Sequence, residues 1–167
     1  GWVTALVCRF QPADFVALQI DTGMMIILRL ITSFFGVYGF SLMFNSPRKM
    51  AMTAGLIAMF ANTLRLELID LAHFPVGVAA FIGAFFTGCV ASIVKKKIGY
   101  PRISLTVPAI VIMVPGLYMY RGIYYIGLNE IGDGSLWLTK AILIVMALPM
   151  GLVAARLCTD KNFRHCT

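Results

Sequence analysis

Five runs of about 20 mainly apolar residues, at roughly 24–44, 50–70, 74–94, 103–127 and 136–157, take up most of this chain. About 20 residues of helix cross the hydrocarbon core of a bilayer. Lipid offers backbone amides no partner, so a segment that crosses alone must satisfy them internally, and the runs are too long for barrel strands. The separators are short and polar or turn-forming: Asn45 to Lys49, His73-Phe74-Pro75, Lys95 to Arg102, and Asn129 to Ser135 with its Gly132-Asp133-Gly134. The pattern predicts an all-α, polytopic membrane helix bundle of about five transmembrane helices.

Composition agrees. Of 167 residues, 60% are hydrophobic and 13% charged, about half the charged share of a soluble domain. Residues 1–23, with Pro12, Asp14 and Asp21, read as an extramembrane or interfacial lead-in or the tail of a preceding segment. Residues 24–158 form the transmembrane domain and 159–167 a tail. The opening Gly1 reads as a processed end or a piece of something longer.

The charge of +7 has two readings, nucleic acid or lipid headgroups. The basic residues gather at the ends of apolar runs, Lys95-Lys96-Lys97 above all, which is the headgroup pattern. No basic and aromatic interleaving of the kind that grips single strands appears outside the runs, so no nucleic-acid partner is expected. Sorting charges by alternate ends puts Arg48, Lys49, Lys95, Lys96, Lys97, Arg102, Arg156, Lys161 and Arg164 on one side, with Asp160. Arg9, Arg29, Arg65, Arg121 and Lys140 fall on the other, with the remaining acids. Basic residues favour the cytoplasm, which places the N-terminus outside and the C-terminus inside.

An odd number of spans has a further implication. Many transporters join two halves of opposite topology about an axis in the membrane plane. A five-helix unit is one such half, and no internal repeat supplies the other, so a companion half is expected from another chain or from further sequence. A homo-oligomer is also open to it.

Enzymatic chemistry finds no foothold. There is no Ser/His/Asp set and no phosphate-binding glycine loop, and Cys158, His165 and Cys166 at a chain end are too few for a metal site. No cofactor is expected.

Small residues recur every four positions on the third segment: Ala80, Ala84, Gly88 and Ser92. They form a stripe that lets another backbone approach. Ala54, Ala58, Asn62 and Arg65 share a face of the second, and Arg29, Thr32, Ser33 and Gly36 lie at helical spacing on the first. These faces are packing seams or a substrate lining. Packing is the simpler reading, and the Asn62 and Arg65 end is where a lining gains ground, since buried polar groups are costly in lipid and tend to be functional.

The fourth segment carries Pro108, Pro115 and Gly122 at intervals of seven. Proline frees the carbonyl four residues earlier, here those of Ser104 and Val111. Counting 1.5 Å per residue from Ile103, Pro115 lies roughly 18 Å into the span, close to mid-membrane. A helix broken or kinked at Pro115-Gly116 would aim the positive dipole end of its second half at the bilayer centre, where transporters bind anionic groups. Arg121 lies one and a half turns on and either reaches back as a carboxylate fork or snorkels beside Tyr124 and Tyr125. The candidate substrate-binding residues are Pro115, Gly116, Tyr118, Arg121, Asn62 and Arg65.

Val107-Pro108, Val114-Pro115-Gly116 and Tyr120-Arg121-Gly122 resemble the proline-rich helix of the threonine/serine exporter family, in its C-terminal half or small-subunit form. Gly39-Phe40 through Phe44-Asn45 and Pro47 resemble its first helix and turn, and the likeness spans roughly 24–158. Ala109 and Ile112 depart from it, where relatives often have glycine and proline. The resemblance implies proton-driven export of threonine, serine or, in some members, dicarboxylates across a bacterial inner membrane, alongside a companion membrane subunit. A structural subunit without substrate contact is the other reading.

Overall fold

The computed structural model describes residues 21–160. Residues 1–20 of the expected lead-in, and the tail from 161, lie outside the described residues. Among the described residues six helices run in sequence: α1 (Thr22–Met43), α2 (Arg48–Asp70), α3 (Val76–Ile98), α4 (Arg102–Val111), α5 (Gly116–Gly127) and α6 (Ile131–Thr159). Taking α4 and α5 as one bent span, five among the described residues are long and apolar enough to cross a membrane.

Three of the turns share one local solution. Asn45, His73 and Gly99 adopt positive φ, of 56°, 51° and 81°, and each is followed two residues later by a proline that precedes the next helix: Pro47, Pro75 and Pro101. A left-handed residue ends a helix by turning its carbonyls out of line. The proline then starts the next, since it lacks the amide a helix start leaves unpaired and its φ is preset. Asn129, at φ 68°, ends the α5 turn.

The interior holds several polar side chains, while many large apolar ones face outward. Ser33, Ser41, Asn62, Thr63, Thr87, Ser92 and Thr106 are buried, while Phe35, Met43, Ile103 and Ile142 are exposed. Lipid tails are as apolar as leucine, so packing in a membrane favours small residues that bring backbones together. The core follows this rule with two alanine-rich clusters. One gathers Val37, Ala54, Ala58, Ala91, Leu105 and Ala109; the other gathers Ala61, Ala80, Ala84, Met113, Ile144 and Leu148. Ile112 packs against both.

The most extensive helix contact joins α3 and α6. The four-residue stripe of α3 faces it: a Cβ added at Gly88 would meet the Ala155 methyl at 2.6 Å, and one at Gly151 would meet the Phe81 carbonyl oxygen at 2.5 Å. Ser92 and Thr159 hydroxyls close the same seam at 2.9 Å. The break in the fourth span divides its contacts, with α4 packing on α1, α2 and α3 and α5 on α6.

Two separators are shorter than the sequence suggests. Lys95, Lys96 and Lys97 form the last turn of α3, where cations complement the helix dipole. Gly132-Asp133-Gly134 is helix, the start of α6. Gly134 serves close packing instead of a turn, since a Cβ there would lie 2.5 Å from the Ile126 side chain and 3.0 Å from the Gly122 carbonyl oxygen.

Candidate functional site

The fourth span breaks between Val111 and Gly116 through a short series of local bonds. The amides of Met113 and Val114 donate to the carbonyls of Ile110 and Val111, tightening the last turn of α4. The Val111 carbonyl, which Pro115 cannot serve, is thereby satisfied one residue early. Pro115 then sits at φ −80° and ψ 51°, an inverse γ-turn, and Gly116 N donates to Val114 O at 2.8 Å. Pro108 lies inside α4 without ending it.

In an unbroken helix the amides of Leu117 and Tyr118 would donate to the carbonyls of Met113 and Val114. Both acceptors are otherwise engaged. Val114 O takes the Gly116 amide, and Met113 O takes the guanidinium Nη1 of Arg65 at 2.7 Å, from α2. Arg65 thus replaces a missing backbone donor. Its Nε is buried with no hydrogen-bond partner. The first amides of α5, a partial positive charge by the helix dipole, and the Arg65 cation both lie at one break.

Gly83 of α3 makes the space for this crossing. A Cβ there would stand 3.2 Å from Arg65 Cβ and 3.5 Å from Met113 Sδ. Tyr118 packs against the cluster containing Ala61 and Met113 and is an electrostatic neighbour of Arg65. On its other side its ring meets Trp137 of α6, with centroids 5.5 Å apart. Trp137 also carries two cations, the Arg121 guanidinium 4.8 Å and the Lys140 ammonium 5.0 Å from its ring centroid. Such contacts are worth about 0.5–2 kcal/mol each, more where water is excluded.

Of the residues singled out in the sequence, Pro115, Gly116, Tyr118 and Arg65 therefore meet at the break. Arg121 lies one aromatic ring further out, over Trp137. Asn62 is buried and faces α1, its Nδ2 donating to Ser33 Oγ at 2.9 Å while its Oδ1 has no partner. Gly83, Met113 and Trp137 are additions that only the structure supplies. Trp137 carried one signal, a large amphipathic ring one turn before Lys140.

Arg29 on α1 pairs with Glu67 at 2.7 Å and with Asp70, both on α2. This explains how a span can end in two acids. Among the described residues no three of His, Cys, Asp and Glu cluster as a metal site requires; His165 and Cys166 lie outside them.

No curated protein and no solved structure matches the chain. One family model does, that of the Threonine/Serine exporter, ThrE, over residues 29–158. Those residues take in the second, third and fourth apolar spans whole, the broken one among them, and most of the first and fifth. With most of its length matched, this multi-pass membrane chain belongs to the Threonine/Serine exporter, ThrE, family of transporters.

Proposed function

We propose that this chain is one half of a secondary transporter that exports small carboxylate-bearing metabolites such as threonine and serine. The companion half comes from a second membrane subunit or from further sequence. The reading rests above all on Arg65, a cation inside the bundle whose Nη1 serves the carbonyl exposed by the broken helix and whose Nε has no partner. A carboxylate at this point takes the fork of Arg65 and the first amides of α5, while Tyr118 offers a hydroxyl. Ionised partners make such hydrogen bonds worth about 1.5–3 kcal/mol each. The membrane is a bacterial cytoplasmic membrane, with the N-terminus outside and the C-terminus inside, by the surplus of basic residues on the Lys95–Lys97 side.

Export of a dicarboxylate is the second reading. It is favoured by the second guanidinium, that of Arg121, across Tyr118 and Trp137 from the first. Both readings are tested by reconstituting the chain with and without a co-expressed companion half and measuring efflux of labelled threonine, serine and succinate. Efflux of one class that requires both halves and falls at least about tenfold in Arg65→Lys supports that substrate. Wild-type efflux unaffected by the lysine substitution would make this a structural subunit.

A further inference from the structure

The two faces of the bundle differ at the end where α3 stops and α4 begins. A cleft of about 170 Å³ opens there between α4 and α6, lined by Arg102, Ile103, Thr106, Leu152, Val153 and Arg156. Ile103 and Val153 are exposed, so the cleft is open along its apolar side, where a membrane-spanning bundle would meet lipid. Its charged side holds the guanidiniums of Arg102 and Arg156 beside the carboxylate of Asp160. Asp160 stands 3.5 Å from Arg102 Nη1 and 3.9 Å from Arg156 Nε. Both distances exceed those of a well-made charged hydrogen bond, so Asp160 holds each of the two cations loosely.

Arg102 is also incompletely served. Its Nη2 is buried with no hydrogen-bond partner and rests against Gly88, where a Cβ would approach to 3.2 Å. The lysines of the last α3 turn, Lys95 to Lys97, add positive charge at the same end. A half-enclosed arginine pair, with an unserved Nη2 on Arg102, above an apolar exposed wall matches an anionic headgroup attached to an acyl chain. Basic pockets between membrane helices bind such headgroups.

We propose that this cleft binds an anionic phospholipid. The phosphate sits between Arg102 and Arg156, displacing Asp160 from its loose contact, and an acyl chain runs along Ile103, Leu152 and Val153. The lipid thereby ties the start of α4 to the end of α6, which the loose contact of Arg102 with Asp160 also links.

The test is a titration of the purified chain in detergent with phosphatidylglycerol, with phosphatidylcholine of the same acyl chains, and with inorganic phosphate. Phosphatidylglycerol is expected to bind at least about tenfold more tightly than phosphatidylcholine, with inorganic phosphate a poor competitor. Arg156→Gln, at a largely exposed side chain, should weaken phosphatidylglycerol about fivefold without unfolding the bundle. Asp160→Asn removes the competing carboxylate and should strengthen binding severalfold, a change that general loss of structure would not produce. Equal affinity for the two lipids would overturn the proposal, as would unchanged or weaker binding in Asp160→Asn. Displacement by inorganic phosphate at equal potency would reassign the site to free anions. Replacing Lys95, Lys96 and Lys97 together by Gln should matter less than Arg156→Gln; an equal loss would show diffuse attraction and no site.

Discussion

Charge in this chain is priced by where it is enclosed, and the arginines show the range. Arg29 and Glu67 each keep less than a fifth of their side-chain surface exposed, whereas Asp70 keeps nearly half. Glu67→Gln leaves Arg29 short of its enclosed partner and should destabilise by about 1–3 kcal/mol. Asp70→Asn should cost less than about 1 kcal/mol. Thermal unfolding of the two variants in detergent checks the order, and a larger loss for Asp70→Asn would mean that Arg29 depends on the exposed acid. At Trp137 the comparison is with phenylalanine and leucine. Trp137→Phe keeps a ring for Arg121 and Lys140, while Trp137→Leu keeps only bulk. The leucine variant should lose about 1–2 kcal/mol more than the phenylalanine one, measured as unfolding free energy.

Glycine placement decides how the elements meet, and two substitutions separate its roles. Gly39 has nothing within 4 Å of an added Cβ, whereas Gly88 would drive one into Ala155 at 2.6 Å. Gly39→Ala should therefore be neutral or stabilise α1 by up to about 1 kcal/mol through helix propensity. Gly88→Leu should impair folding or assembly, seen as a lower melting temperature and aggregation in size-exclusion chromatography. An unperturbed Gly88→Leu would mean that α3 and α6 can separate at no cost. The same distinction explains what was legible beforehand. The spans, the stripe of α3 and the interruption at Pro115-Gly116 are written locally, in apolar length, four-residue spacing and proline chemistry. Gly132-Asp133-Gly134 reads as a turn by composition, yet Gly134 is held in helix by Gly122 and Ile126 across the bundle. Arg65 and Met113 are 48 residues apart. Nothing local joins a cation on the second span to a carbonyl on the fourth, so Arg65 is legible as a costly polar group and its partner is not. Arg121 likewise offers two directions in the sequence, and its guanidinium lies over Trp137, a partner that neither direction named.

At the scale of the whole molecule, alternating charge predicts the orientation. With the four cysteines replaced, Ile98→Cys should react with an impermeant thiol reagent only from the cytoplasm and Gly132→Cys only from outside. The opposite labelling would reverse the orientation and, with it, the side on which substrate is gathered. Movement at this scale is limited by the seam between α3 and α6. Side chains accommodate a sliding neighbour by hopping between rotamers, but at Gly151 and Phe81 the facing surfaces are main chain, with no χ angle to turn. The two helices can neither ratchet nor shear past one another in small steps. They travel as one stiff plank, and rearrangement is left to the margins, where Ile112 and the longer side chains around the broken span supply the bearings.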